Sequence, residues 1–150
     1  MRLINPLDGP MGEEPGWRGF AQPTLQASRS PLLSTLILAA LVTGWHLPLL
    51  LPDFGLLPAD LLSTVAVTFW YAWLFNHTGG SVLITLVAHA VEGTLIRPDL
   101  WSADADVTRM AWLYAGLASV VAIALVAFDW QFWRRPAPAA ATIHTRRRMA

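Results

Sequence analysis

Apolar residues in this chain come in long unbroken runs rather than in alternation with polar ones. Residues 31–51, PLLSTLILAALVTGWHLPLLL, carry no Asp, Glu, Lys or Arg, over about the twenty positions that a bilayer core requires of a helix. Residues 61–75, LLSTVAVTFWYAWLF, are short for a span unless the helix starts near Leu56 and holds Asp60 at the interface. Residues 81–96, SVLITLVAHAVEGTLI, are also short and contain His89 and Glu92. Residues 110–128, MAWLYAGLASVVAIALVAF, form a conventional span that runs into DWQFWRR. There Trp130 and Trp133 are expected at headgroup level beside Arg134 and Arg135. A membrane barrel would need many more segments, each alternating. The pattern predicts an all-α protein: a polytopic membrane helix bundle of about four transmembrane helices, with a polar segment ahead of the first.

Composition sharpens this picture. The chain is 55% hydrophobic and 13% charged, against about a quarter charged in a globular protein, and its mean hydropathy is +0.46. The ten basic residues are all arginine and are balanced by ten acids, so no basic field points to a nucleic acid. The absence of cysteine removes disulfides, thiolate metal sites and cysteine catalysis. Residues 1–12 lack the apolar core of a secretory signal. Arginines gather at the two ends (Arg2, Arg18 and Arg29; Arg134, Arg135, Arg146, Arg147 and Arg148), while PDFGLLPAD and RPDLWSADADVTR are acidic or acid-rich. By the positive-inside rule this predicts an integral protein of a bacterial-type cell membrane with both termini cytoplasmic. Residues 1–133 are expected to form one domain, and 134–150 a disordered basic cytoplasmic tail suited to a membrane surface. No internal repeat is evident.

Candidate chemistry lies in the polar residues at membrane depth, because burying an ionised side chain in hydrocarbon costs several kcal/mol. His46 lies in TGWHLPLL, near the far end of the first run. His89 stands mid-way along the third, with Glu92 one turn later. Glu13 and Glu14 precede the first run, and Arg18 neutralises Glu14 if that stretch is helical. Pro15 disfavours a helical Glu14 and predicts a bend or a helix start there. Each feature has a plain reading: a lone membrane histidine is commonly an interhelical hydrogen-bond donor, and paired glutamates before a span are commonly solvated interfacial charge. Glu92 could snorkel or stay protonated. His77, in FNHTGGS, reads as a turn residue, and His144 has no assigned role. The conjunction of two glutamates and two histidines is more specific, since carboxylate and imidazole together activate water, directly as bases or through a divalent cation.

These residues resemble the CPBP intramembrane proteases, the group that includes the CAAX prenyl endopeptidases and the bacterial Abi and bacteriocin-processing relatives. EEPGWRGFAQPTLQ resembles the family's EExxxR signature through Glu13, Glu14 and Arg18, GWHLPLL its second signature through His46, and FNHTGGSVLITLVAHAVEG its third region through His89. The resemblance runs over residues 9–96. It implies a bundle of membrane helices around a polar cavity, and an endopeptidase acting on a membrane-associated peptide or protein. It also implies that Glu13 is the base on a water, that His46 and His89 hold the water, and that Glu14 and Arg18 support Glu13. A zinc ion would be held by Glu13, His46 and His89. The eukaryotic branch cleaves prenylated CAAX proteins.

Two departures accompany the resemblance. Where the family usually carries Asn four residues after the last histidine, a donor for a developing oxyanion, this chain has Gly93, preceded by Glu92. Family members usually have several helices ahead of EExxxR, whereas twelve residues precede it here, so an N-terminal truncation is expected. The alternatives are a truncated, inactive relative acting as a binding or immunity protein, and, remotely, a haem protein with His46 and His89 as axial ligands.

Overall fold

The computed structural model describes residues 9–51, 57–95 and 104–136. The basic tail from 137 onward with His144, the Leu56 start of the second run and most of the two acidic connections lie outside them. Among the described residues every regular element is helical, as the unbroken apolar runs require.

The N-terminal segment is one continuous helical rod. Helix α1 (Pro10–Gly16) passes through a single π turn (Trp17–Ala21) into α2 (Gln22–Gln26), with every junction residue in helical conformation. Glu14 lies inside α1 and Pro15 is internal to it, so the bend expected before Pro15 does not form. The π turn has a local cause. A proline ring crowds the carbonyl four residues back, and for Pro23 that carbonyl belongs to Gly19. The widened turn, in which Gln22 N–H donates to Trp17 O, makes room for it.

Helix α3 (Pro31–His46) starts at Ser30, whose hydroxyl accepts from Leu33 N–H at 3.3 Å, with Pro31 in the first turn. It continues as a 3₁₀ turn, Leu47–Leu50. Helix α4 (Pro58–His77) begins where the Asp60 carboxylate accepts from Leu57 N–H at 2.7 Å. It ends in a turn built on Gly79 (φ 68°) and Gly80 (φ 78°), with Gly80 N–H donating to Phe75 O at 2.9 Å. That is the reversed cap that left-handed glycines favour. His77 is therefore the last residue of a helix rather than part of the turn. Helices α5 (Val82–Leu95) and α6 (Asp104–Phe128) follow, then one turn of α7 (Trp130–Trp133).

The core buries Leu38, Phe75, Phe132 and Trp133 together with many small residues. Ala39, Ala59, Ala66, Ala72, Ala90, Ala115, Ala118 and Ala122 are buried between helices, whereas Leu36, Leu41, Trp45, Leu117, Val120 and Ile123 face outward. Small residues inside and large apolar ones outside is how helices pack when lipid is the solvent. Two stretches, Pro31–Leu50 and Asp106–Phe128, are long and apolar enough to cross a membrane. Helix α4 has the length of a span, and α5 has 14 residues.

The aromatic end of α6 differs from expectation. Trp130 is exposed, but Trp133 is fully buried, with its indole N–H donating to Leu125 O at 3.0 Å and its ring 5.6 Å from Phe69. Asp129, at φ −111° and ψ 36°, breaks the helix and turns α7 back onto the bundle. The Asp129 carboxylate accepts from the Trp73 indole at 2.9 Å and lies 2.8 Å from His77 Nε2, which ties the end of α4 to this corner.

Candidate active site

The N-terminal rod lies antiparallel against α5: Gly19 approaches Val82, and Glu14 meets His89. On its inward face Glu14, Arg18 and Gln22 recur one turn apart, and all three are buried. Such a placement is costly for ionised groups unless they pair, and these do. Arg18 Nη1 donates to Glu14 Oε1 at 3.1 Å, and His89 Nδ1 lies 2.8 Å from the same oxygen. A carboxylate accepts, so Nδ1 carries the proton of this contact, and in the neutral ring the lone pair is then on Nε2. Burial pushes the Arg18 guanidinium down from its ordinary value, and the Glu14 carboxylate opposes that shift.

Tyr71 completes the inner wall. The Arg18 guanidinium carbon stands 5.0 Å from its ring centre, and the His89 ring lies 5.4 Å away on α5. The Tyr71 hydroxyl donates to Glu92 Oε2 at 3.3 Å, while Tyr114 on α6 donates to Glu92 Oε1. Glu92 thus neither snorkels nor faces lipid alone, since each of its oxygens has a phenol. The chain has two tyrosines in all, and both are committed to this carboxylate. Tyr71, Tyr114 and Gln22 were not singled out from the sequence. Two phenols inside apolar runs, each needing a hydrogen-bond partner when buried, were the available signal. An apolar groove of about 590 Å³ flanks this wall, lined by Trp70, Tyr71, Trp73, Val91, Glu92 and Tyr114 among others.

The expected site residues divide into two groups. Glu14, Arg18 and His89 come together. Glu13 is half-buried beside them in sequence, with its carboxylate near Gly9. His46 does not join the cluster: its Nδ1 lies 2.8 Å from Val42 O of its own helix. Gly93 is buried and offers no side-chain donor. Among the described residues no three His, Asp or Glu side chains stand close enough to share a metal ion, so Glu13, His46 and His89 do not form a zinc site in this conformation. At the Glu14–His89 pair, the Arg18 cation also occupies the oxygen that a metal would use. The donors present do not fit the ion.

A family model described as type II CAAX prenyl endopeptidase Rce1-like matches residues 1–94. No curated protein and no solved structure matches the chain.

Proposed function

We propose that this chain, which belongs to the Rce1-like family of type II CAAX prenyl endopeptidases, hydrolyses a peptide bond of a membrane-associated substrate with a water activated at His89 and Glu13. The observation that carries this reading is the Arg18–Glu14–His89 series, in which a buried carboxylate holds the imidazole by Nδ1 at 2.8 Å. That contact fixes ring and tautomer, so Nε2 is the free base, as in any carboxylate–histidine pair. Arg18 donates to the same Glu14 oxygen at 3.1 Å.

In the proposed reaction Nε2 takes a proton from water, the oxygen attacks the scissile carbonyl, and the proton is returned to the leaving amine as the tetrahedral intermediate collapses. Glu13 shares the acceptor role, its half-buried carboxylate being the one the family signature assigns to the base. The substrate's apolar portion lies in the groove beside Tyr71 and Glu92, and the Tyr71 ring that lines it stands 5.4 Å from the His89 ring. Helices α4 and α5 complete the proposed four-span bundle around this centre.

Gly93, with no donor where an oxyanion would develop, favours a second reading: a relative that binds such a substrate without cleaving it. Cleavage of a prenylated CAAX peptide and of other membrane-associated peptides in proteoliposomes separates the two. Glu13→Gln and His89→Gln are each expected to lower kcat by about 10²-fold or more, the usual worth of a positioned acid or base. Undiminished cleavage by both folded variants would end the assignment of the base to Glu13 and His89, and binding without turnover by the parent would select the second reading.

A further inference from the structure

Helices α4 and α6 pack together at Ala66, Ala118 and Ala122, and a groove flanks this seam on each side. One is the groove beside Tyr71 and Glu92. The other, about 670 Å³, is framed by α3, α4 and α6 and lined by Leu32, Leu62, Phe69, Ile123, Val126 and Trp130 among others; the two share no residue. Apart from the Trp130 indole at one end, the only polar side-chain atom in the second groove is Ser119 Oγ, which donates to Ala115 O at 2.7 Å. An extended peptide laid there would leave its backbone groups unpaired, at several kcal/mol each. A hydrocarbon chain has none to pair.

Charge distinguishes the ends of this groove. The Trp73–Asp129 hydrogen bond holds the C-terminal ends of α4 and α6 together, so Leu62 marks one end and Trp130 the other. The Leu62 end is near Asp60, whose carboxylate is engaged by Leu57 N–H. At the Trp130 end the Arg134 guanidinium carbon stands 5.4 Å from the Trp130 ring centre, and Arg135 stands at the same distance over Phe132. Both arginines are exposed, and among the described residues neither forms a salt bridge. The acid beside them in sequence, Asp129, is engaged by Trp73 and His77. An apolar slot that ends in two unneutralised guanidinium groups matches an amphiphile with a hydrocarbon tail and an anionic head.

We infer that this groove seats one acyl chain of an anionic glycerophospholipid whose phosphate is held at Arg134 and Arg135. From Ser119 to Ala127 the wall follows α6 for roughly 12 Å, and the rim residues Leu62, Ile123 and Trp130 are exposed, so a chain enters sideways from the bilayer. Guanidinium groups pair with phosphate in two-pronged hydrogen bonds, and basic clusters between helices at a membrane surface take anionic headgroups. A phosphatidylcholine phosphate carries its own cation, whereas a phosphatidylglycerol phosphate leaves its charge to the arginines. The groove takes no part in the proposed reaction, and its lipid binds whether or not the chain cleaves a peptide.

The test is native mass spectrometry of the full chain in detergent, titrated with dioleoyl phosphatidylglycerol and, separately, with dioleoyl phosphatidylcholine. The first phosphatidylglycerol is expected to bind about tenfold or more tighter than the first phosphatidylcholine, the usual worth of a hydrogen bond between charged groups. Arg134→Gln is expected to weaken phosphatidylglycerol about tenfold and to leave phosphatidylcholine unchanged. Arg109→Gln, the same loss of charge near the opposite end of α6, should change neither. Ala127→Trp, which fills the groove from an exposed position, should weaken both lipids, with folding of every variant checked by circular dichroism. Equal binding of the two lipids, equal losses from Arg134→Gln and Arg109→Gln, or a phosphatidylglycerol affinity untouched by Ala127→Trp overturns the site. So does a dimer that Ala127→Trp disperses, since the groove then belongs to a second copy of the chain.

Discussion

Replacing Arg18 by Met tests the electrostatic core of the site. Methionine keeps the length of the side chain and removes the charge. Glu14 is then a carboxylate with 0% exposure whose remaining contact is His89, and the guanidinium above Tyr71 is lost as well. Removing one member of a buried ion pair costs about 3–5 kcal/mol, because the survivor keeps its desolvation penalty without compensation. For a chain of this size that corresponds to a fall of roughly 6 °C or more in Tm. Glu14→Gln alone strands the guanidinium in the same way, although the new amide oxygen still accepts from His89. Removing both charges together eliminates the uncompensated ion, so the double variant should be much less destabilised than the sum of the singles, with a coupling of about 2–3 kcal/mol. The assay is thermal unfolding in one detergent at fixed lipid, with all four corners of the cycle prepared in parallel. Single variants that each unfold within about 2 °C of the parent, or a double variant equal to the sum, would show that the pair is solvated and the buried-centre reasoning mistaken.

Two further outcomes follow from the geometry. Trp133→Ala is expected to destabilise by about 3–5 kcal/mol, as for a large aromatic removed from a core, whereas Trp130→Ala, at an exposed position, should cost less than about 1 kcal/mol; denaturant midpoints of the two compared side by side decide this. Peptidase activity should survive prolonged dialysis against a strong chelator and gain nothing from added zinc, since the described donors at the centre are Glu14 and His89 with a guanidinium on the shared oxygen; loss on dialysis with recovery on zinc would show that the residues rearrange to hold a metal.

The apolar runs located the helices well, because a span must satisfy its own backbone and so leaves an unbroken signature. The runs at 61–75 and 81–96 became Pro58–His77 and Val82–Leu95. The elements that were misjudged are those whose fate is set by tertiary contact. Arginine-flanked tryptophans read locally as a headgroup belt, yet Trp133 is buried because Asp129 turns the chain and the indole finds Leu125 O. Pro15 read as a bend or a helix start, yet α1 begins at Pro10 and runs through it. An internal proline costs a helix about 3 kcal/mol or more, and the helix that runs through this one places Glu14 in its buried contacts with Arg18 and His89.

The two adjacent glutamates show where sequence reading of the site stops. Spacing alone favours the one four residues before Arg18, and that glutamate is the buried one. It gives no reason to assign the base, because neighbours in a helix point about 100° apart and take on different surroundings. Glu14 is committed to Arg18 and His89 through one oxygen, whereas Glu13 is half-buried and outside that pair. In the proposed mechanism Glu14 holds the imidazole and proton transfer falls to Glu13 and His89 Nε2, so that two carboxylates adjacent in sequence take different tasks from the different helix faces they occupy.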